Sequence, residues 1–395
     1  MDFRLDQEQL ALRQSIIDFA RAELCDGVAE RDRDESFNRA GWQKSARFGL
    51  LGLTTPAEFG GRGFDPLTIM VAMEALGYGC SDNGFGFAVA NHLFACAIPI
   101  VKFGSLDQQS RYLPRLAQGE LIGAHAMTEA HSGSDTAAMK TTAVRRGDAY
   151  VLNGRKSFVT NGPVADVFIV FGRTGEGRGV KDFTAFIVEK TFPGLSVGNR
   201  FSTMGLRTAP MCEISFDNCY VPAANRLGED GNGMLVFNAA AEWERCYLSA
   251  FNLGGSKRQL EQCLQYVRER RPFGRPLGHF QAIAHKLASV KVEIEMAELM
   301  LYKIGWLRKM KKPAFFESAV IKLFTSESYV NASLAALQVH GAFGYITNAG
   351  IERQVRDSLA STLYAGTSEI QRDIIAAWLG LETQIGSNSV SAQEK

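Results

Sequence analysis

Histidine, cysteine and glycine residues often form metal, redox and nucleotide sites in enzymes. In this chain their spacing argues against the common forms of such sites. The six histidines form no HxxxH or HExxH pattern, so a metal site is not predicted. The seven cysteines are scattered, odd in number and not in CxxC pairs, so we expect reduced, mostly buried thiols and a cytoplasmic setting. No GxGxxG follows a strand-like segment, which argues against a Rossmann nucleotide site. The chemistry of this chain must be sought in other segments.

Four separated regions carry distinctive runs of glycine, serine, threonine, arginine and phenylalanine. They are residues 126–135 (AMTEAHSGSD), residues 154–162 (GRKSFVTNG), residues 270–274 with 280–281 (RRPFG and FQ), and residues 338–342 with 363–372 (QVHGA and LYAGTSEIQR). Any one of them alone is no more than a set of turn formers. In this order and at this spacing they resemble the acyl-CoA dehydrogenase family of flavoenzymes, over nearly the whole chain.

The resemblance implies flavin adenine dinucleotide (FAD), held between a β domain and a helical bundle with a neighbouring subunit contributing. Met127 and Thr128 would lie at the pyrimidine edge of the flavin, Phe158 against the isoalloxazine ring and Thr160 near N5. Gly133 and Ser134 match the loop at the pyrophosphate, where Ser134 would also contact the thioester arm.

The remaining cofactor positions implied by the resemblance concern the nucleotide. Those matching the adenine end, across a subunit interface, are Arg270, Phe273, Gln281, Gln338 and Gly341, and those contacting the flavin nucleotide are Thr367 and Glu369. The residue types suit the ligand, because a pyrophosphate binds arginine and backbone N–H donors and a flat ring binds an aromatic wall.

The implied reaction is α,β-dehydrogenation of an acyl thioester, in which a base removes the α-proton and a hydride leaves the β-carbon. In many family members the base is a glutamate directly before Gly-Thr-Ser, where this chain has Ala365. Alanine cannot accept a proton, but it keeps the backbone N–H that donates to the thioester oxygen.

In the isovaleryl and long-chain members, the base instead lies on the first long helix of the bundle, immediately before an arginine. Glu244 matches that position, and Glu242 is the fallback, although two residues away it points to another helix face. Burial against the flavin and the acyl group would raise the pKa of Glu244 and suit it to act as a base. The matched substrate-binding residues are Ser134, Trp243, Arg245, Tyr364 and Gly366.

A closer resemblance is to the branch that oxidises L-prolyl groups tethered to a peptidyl carrier protein. It rests on residues 73–77 (MEALG), 92–96 (HLFAC) and 243–250 (WERCYLSA). The chain departs from that branch at Gly162, and residues 204–208 (MGLRT) are closer to ordinary acyl-CoA enzymes. The alternatives are a dehydrogenase of free short or branched-chain acyl-CoA, a flavin monooxygenase on the same fold, and a flavin-binding protein without activity.

Helices, then strands, then a helical bundle are predicted along the chain. This order indicates an α+β fold, whose elements would position these residues. Residues 1–119 are expected to be helical, 120–228 to form a β domain and 229–395 to contain a four-helix bundle. Within them, Asn153-Gly154 predicts a hairpin turn. Ile283, Leu287, Val290, Ile294, Ala297, Leu301 and Ile304 predict one helical seam. The tail from 386 to 395 is polar and expected to fray.

Composition limits the partners. The 395 residues carry a net charge of +1, which gives no general attraction to nucleic acid or to an anionic membrane. The N-terminus lacks an apolar signal core and no long uninterrupted apolar window occurs, so no transmembrane helix is expected. The family resemblance implies a homotetramer of paired dimers acting on an acyl or aminoacyl thioester of a carrier protein or coenzyme A.

Overall fold

The structure, a computed structural model, describes residues 4–175, 177 and 179–381. Helices at both ends of the chain enclose a central sheet, which confirms the predicted α+β fold. The expected boundaries at 119/120 and 228/229 fall in the connections on either side of the strands. The tail predicted to fray lies outside the described residues.

The N-terminal helices are formed by apolar faces between capped ends. They are α1 (Gln7–Glu23), α2 (Val28–Arg33), α3 (Arg39–Phe48), α4 (Pro66–Gly79), α5 (Asn83–Ala90), α6 (Ile98–Phe103) and α7 (Leu106–Ala117), with a π-helical turn at Asn91–Ala97 between α5 and α6. Asp6 and Gln9 form a capping box at the start of α1. Ile16 and Ala20 of α1 are fully buried.

The segments α5, the π turn and α6 make one helix, Asn83–Phe103, with mean hydropathy 1.7 over its most apolar stretch. It is long and apolar enough to cross a membrane by length and composition alone. However, 94 % of that stretch is buried inside the protein, which is the environment of a core helix.

The central region is a mixed sheet in the order β6-β7-β3-β2-β4-β5-β8, with β1 pairing in parallel with β4. The strands are β1 (Gly123–Ala126), β2 (Thr142–Arg146), β3 (Ala149–Thr160), β4 (Val167–Arg173), β5 (Phe183–Glu189), β6 (Leu195–Arg200), β7 (Met211–Pro222) and β8 (Arg226–Leu227). Alternate residues of β4 enter different cores: Ile169 and Phe171 face α6, α7 and α8, and Phe168 and Val170 face the opposite side.

The hairpin predicted at Asn153-Gly154 is wrong. Strand β3 continues through these residues and pairs with β7, with a register shift between Leu152 and Gly154. The long pairing with β7 overrides the local turn preference, and the dipeptide forms an irregularity instead of a turn. Gly154 is needed there, because a Cβ would lie 2.6 Å from the Thr141 hydroxyl. The chain turns earlier, at Gly147 with φ 61°, between β2 and β3.

The C-terminal region contains three long helices and several short ones. They are α8 (Gly233–Glu269), α9 (Gln281–Lys309), α10 (Phe315–His340), α11 (Ala342–Tyr345), α12 (Ile351–Leu359) and α13 (Ser368–Trp378). The predicted seam of α9 is confirmed from Leu287 to Ile304, since its six members there are all buried. Helix α8 crosses α4 at very close range: a Cβ on Gly77 would lie 1.9 Å from the Phe251 carbonyl oxygen. This contact fixes the helix that carries Glu244.

Candidate active site

Glu244 lies about three turns into α8, between the buried side chains of Trp243 and Arg245. Its carboxylate makes no hydrogen bond or salt bridge within the described part of the chain. Burial raises the pKa of this carboxyl to about 7, against the opposing effect of the Arg245 charge. The side chain nevertheless stays partly accessible. A carboxyl that is poorly hydrated yet not fully enclosed can still be reached by a substrate.

Glu242, the fallback base, has a different environment. Its carboxylate forms a 2.9 Å salt bridge with Arg308. A carboxylate already paired with a guanidinium is a poor proton acceptor, because the pair stabilises its charged form. The two glutamates of this helix are therefore distinguished by their partners.

The turn at Ala365 is strained and held from two sides. Ala365 has φ 53°, in the left-handed region that non-glycine residues rarely adopt. Its carbonyl oxygen accepts hydrogen bonds from Arg245 Nε at 3.2 Å and from Gln371 Nε2 at 3.2 Å. Gln371 also donates to the Gly366 carbonyl at 3.0 Å. These bonds hold the peptide groups that follow Ala365 and Gly366, and so hold the turn that also carries the Ala365 N–H.

Arg245 joins the predicted base to the predicted N–H donor, because it follows Glu244 in α8 and bonds Ala365. It was predicted to bind substrate, yet its Nε atom is occupied by the turn. Its Nη1 atom is buried without a partner among the described residues. The indole N–H of Trp243, another predicted substrate residue, is likewise buried and unpartnered there. Buried donors of this kind need a ligand or water to bond.

Aromatic rings surround this end of α8. Tyr364 stacks on Phe87, with ring centroids 4.7 Å apart, and its hydroxyl exchanges hydrogen bonds with the Asn252 amide at 3.0 and 3.2 Å. Burial raises the pKa of the Tyr364 hydroxyl, and the charge of Glu244 adds to the shift, so the two groups are neighbours.

A second aromatic group lies beside Trp243. Phe94 stacks on Tyr247 at 4.7 Å, and Trp243 stacks on Tyr247 at 4.8 Å. These rings leave little room for a long chain on that side.

The predicted flavin positions of the β domain come together at the ends of β1 and β3. The Ser157 N–H donates to the Thr128 carbonyl at 2.8 Å, and Lys156 Nζ donates to the Met127 carbonyl at 3.1 Å. Phe158, next in sequence, has φ 58° and is 56 % exposed. A half-exposed ring on strained backbone fits a flat ligand face, which supports the flavin position.

Asn161 ties this region to the helix that carries Phe87. Its side-chain amide donates to the Ala88 carbonyl at 3.0 Å and to the Gly123 carbonyl at 3.2 Å. Thr160, the residue before it, is buried at the end of β3. The Met127, Thr128, Phe158 and Thr160 group and the Glu244 group therefore belong to one continuous region.

Other predicted positions stand apart from these contacts. Gly133 and Ser134 lie in an exposed loop, and a Cβ on Gly133 would meet no atom within 4 Å. Thr367 caps α13, its hydroxyl accepting from the Ile370 N–H at 3.3 Å, and Glu369 follows in the first turn.

The predicted adenine-end residues lie at the far end of the bundle. Arg270 and Gly341 line a groove of about 830 Å³ together with Tyr266, His340 and Phe343. Phe273, Gln281 and Gln338 lie close in sequence to the groove and are exposed, Phe273 to 93 % and with φ 52°. At 1.5 Å per residue, Arg270 is about 39 Å along α8 from Glu244. Within one chain, the predicted adenine-end residues therefore lie far along α8 from Glu244.

Sequence reasoning missed several residues that the fold places at the site, including Asn91, Asn252, Asn161 and Gln371. All four are neutral amides; Asn161 and Gln371 stand inside the 154–162 and 363–372 runs without a predicted role, and Asn91 and Asn252 lie outside those runs. The signal available was a polar residue within an apolar run, as Asn91 is within residues 85–101.

Comparison with known proteins assigns the class. Family models for the N-terminal, middle and C-terminal domains of acyl-CoA dehydrogenases match residues 6–120, 124–219 and 231–380. The L-prolyl-[peptidyl-carrier protein] dehydrogenase of Pseudomonas fluorescens is 40 % identical over 382 residues, 96 % of this chain and 100 % of the relative. The short-chain specific acyl-CoA dehydrogenase of Clostridium acetobutylicum is 35 % identical over 376 residues, 95 % of this chain and 99 % of the relative.

Solved structures agree. The crystal structure of the prolyl acyl carrier protein oxidase AnaB superposes with a TM-score of 0.94 and 44 % identity, covering 96 % of this chain and 100 % of AnaB. The structure of PigA with FAD and proline superposes with a TM-score of 0.94 and 35 % identity, covering 96 % of this chain and 100 % of PigA.

Fold and site thus define an FAD-dependent oxidoreductase acting on acyl thioesters. The chain belongs to the acyl-CoA dehydrogenase family.

Proposed function

We propose that this enzyme dehydrogenates an aminoacyl thioester, a prolyl group on a carrier protein, with Glu244 as the base. The observation that carries the proposal is the unpaired, poorly hydrated carboxylate of Glu244, joined through Arg245 to the clamped turn at Ala365. Similarity to enzymes named for prolyl carrier proteins supports the substrate class.

FAD, when bound, supplies a flavin ring that accepts the β-hydride. Met127, Thr128, Phe158 and Thr160 would hold that ring against the β domain. The reaction then needs a proton acceptor near the α-carbon and a donor near the thioester oxygen.

The protein side of the reaction follows from the contacts. The Glu244 carboxylate takes the α-proton, and with a pKa of about 7 it is well matched to a proton acceptor at neutral pH. The Ala365 N–H donates to the thioester oxygen as negative charge develops there. The bonds from Arg245 and Gln371 hold the turn that carries this N–H before the reaction, which limits the reorganisation needed.

The aromatic surroundings favour a small acyl group. The Phe94, Trp243 and Tyr247 rings fill one side of the cavity, and the Tyr364 and Phe87 pair forms another wall. A five-membered ring suits such a space, and a long alkyl chain does not. Free short-chain acyl-CoA remains the second candidate, because the Clostridium relative is 35 % identical over 95 % of the chain. An oxygenase or an inactive flavoprotein would have no use for the unpaired carboxylate.

The enzyme is further proposed to act as a homo-oligomer of paired dimers in the cytoplasm. Arg270 lies about 39 Å along α8 from Glu244, at the end of the bundle away from the proposed flavin-ring positions, which supports a second copy supplying the adenine-end residues. Val292, Met296 and Leu299 form an exposed apolar stripe on α9 that suits a subunit contact. The seven cysteines are free, six of them buried, as in a reducing compartment.

The test is loss of flavin absorbance on mixing the FAD-loaded enzyme anaerobically with prolyl-carrier protein or isovaleryl-CoA. We expect rapid bleaching by the prolyl substrate and a decrease of about 10²- to 10⁴-fold in its rate for Glu244→Gln, the usual range for losing a general base. Glu242→Gln is the matched control and should keep most of the rate. If Glu244→Gln bleaches as fast as wild type, Glu244 is not the base. If only isovaleryl-CoA bleaches the flavin, the substrate is coenzyme A-bound.

A further inference from the structure

Asn91 carries a buried polar group with no role in the site described so far. Its side chain is 7 % exposed, and its amide oxygen has no hydrogen-bond partner within the described part of the chain. Leaving a buried acceptor of this kind unpaired is unfavourable to the fold. An unpaired buried acceptor in a native fold is explained most directly by a ligand or water that bonds it.

The neighbours of Asn91 along the helix show which space it faces. Phe87, one turn earlier, stacks on Tyr364, and Phe94, three residues later, stacks on Tyr247. The Ala88 carbonyl bonds Asn161 at the end of β3. Since residues three and four apart share a helix face, Asn91 lies on the face that carries Phe87 and Ala88, which contact Tyr364 beside Ala365 and Asn161 at the end of β3. This face of the helix is directed towards the proposed active site.

The backbone at Asn91 is unusual too. Asn91 begins the π-helical turn Asn91–Ala97, an irregularity found most often at functional sites. The turn is held against the β domain by a 3.0 Å hydrogen bond from the Gly123 N–H to His92 Nδ1. The wider turn and this anchor fix the position of the Asn91 side chain between the sheet and α8.

The side chains near the Asn91 amide determine which groups of a substrate it can bond. The nearest elements present the rings of Phe87, Phe94, Tyr364 and Trp243, of which the Tyr364 hydroxyl is already engaged by Asn252. A carbon-only acyl chain would displace water from the Asn91 oxygen and offer it no donor. An α-aminoacyl group has an N–H on the atom next to the α-carbon, close to where Glu244 must act. A site that bonds a substrate N–H rejects the analogue that lacks it.

We propose that Asn91 is a specificity residue that accepts a hydrogen bond from the amino group of an α-aminoacyl thioester. It thereby selects aminoacyl groups over carbon-only acyl groups of the same shape. This inference rests on the proposed function and adds the group that would recognise the substrate nitrogen.

The experiment compares two substrates on the same carrier protein, prolyl and cyclopentanecarbonyl, which differ in the ring N–H. We measure flavin bleaching by each in wild type and in Asn91→Leu, a variant of similar size without the amide. Wild type should prefer the prolyl ring, and the ratio of kcat/KM values should fall by about 10- to 100-fold in Asn91→Leu, through loss of the prolyl reaction. Phe94→Leu, which alters a wall without touching the amide, should change both substrates alike.

A binding measurement separates recognition from the reaction. Glu244→Gln enzyme, with or without Asn91→Leu, is titrated with the non-reactive amides of aminopantetheine that carry the same two rings. The prolyl amide should lose about 10- to 100-fold in affinity on Asn91→Leu, and the cyclopentanecarbonyl amide should not. Asn91→Ser replaces Asn91→Leu if the latter does not fold.

An unchanged prolyl preference in the folded variant would overturn the role of Asn91. That failure differs from failure of the proposed function, in which wild type does not oxidise the prolyl carrier at all.

Discussion

The two ends of helix α8 differ in nearly every physical respect. Around Glu244 the side chains are buried, several polar atoms lack partners, and the Ala365 backbone is strained and clamped. Around Arg270 the surface is an open groove, and Phe273 is almost fully exposed although its backbone is also left-handed. The first end holds its reactive groups within one chain. The second is an exposed groove whose lining includes Arg270 and Gly341.

This contrast separates the residues proposed to act in the reaction from the residues proposed to bind FAD. The proton acceptor, the N–H donor and the aromatic walls all come from elements that pack together inside one subunit. If the enzyme assembles as proposed, the groove at Arg270, which matches the adenine positions of the family, would bind the adenine end of the FAD held by another copy. Changes at the Glu244 end should therefore alter the rate of reaction, and changes at the Arg270 end should alter FAD affinity.

The largest effect on rate is expected from moving the base from position 244 to position 365. This change tests whether a carboxylate at the Ala365 turn can replace Glu244. In a Glu244→Gln background, Ala365→Glu should recover about 10- to 100-fold of the lost bleaching rate, because the new carboxylate starts from the turn beside the same cavity. The backbone already holds a side chain at φ 53°, so the larger residue adds little backbone strain. Stopped-flow flavin bleaching measures this. Ala365→Gln in the same background is the control, and equal rates for the two would contradict the interchange.

The next expected effect is on FAD affinity and concerns the other end of α8. Arg270→Ala should weaken FAD binding by about 10- to 100-fold, the value of one charge-assisted hydrogen bond to phosphate. With FAD saturating, its bleaching rate should match wild type. Fluorescence titration gives the dissociation constant, and Arg268→Ala, an exposed arginine on the same turn region, is the control. A bleaching defect that persists at saturating FAD would break the proposed division between the two ends.

The smallest effect is the pH dependence of the bleaching step. Since burial raises the pKa of Glu244 to about 7, the reactive carboxylate is present above that pH and protonated below it. The rate should level off above pH 7 and fall about tenfold per pH unit below it. Glu242→Gln should keep this profile. A rate independent of pH between 5 and 8 would mean that another group, or a less perturbed carboxylate, takes the proton.

Prediction from sequence succeeded where local pattern and tertiary environment agree. The α9 seam from Leu287 to Ile304 repeats every three or four residues, and the core that it meets is as apolar as the pattern requires. It failed at Asn153-Gly154, where the local turn preference was weaker than a long strand pairing with β7. It also could not foresee the clamp on Ala365, because Arg245 is 120 residues from that turn in the chain and the 363–372 run does not show that Gln371 bonds back to it.

Motif types and their spacing were sufficient to indicate the family, the order of the three regions and the candidacy of Glu244 in place of a carboxylate at Ala365, because these can be read without knowing the fold. The pairing of Glu242 with Arg308, which Glu244 lacks, became visible only in the folded chain. So did the burial of the Asn91 amide oxygen, which has no partner among the described residues. Burial, pairing and the pKa shifts that follow depend on which distant elements pack around a side chain, and local sequence does not contain that information.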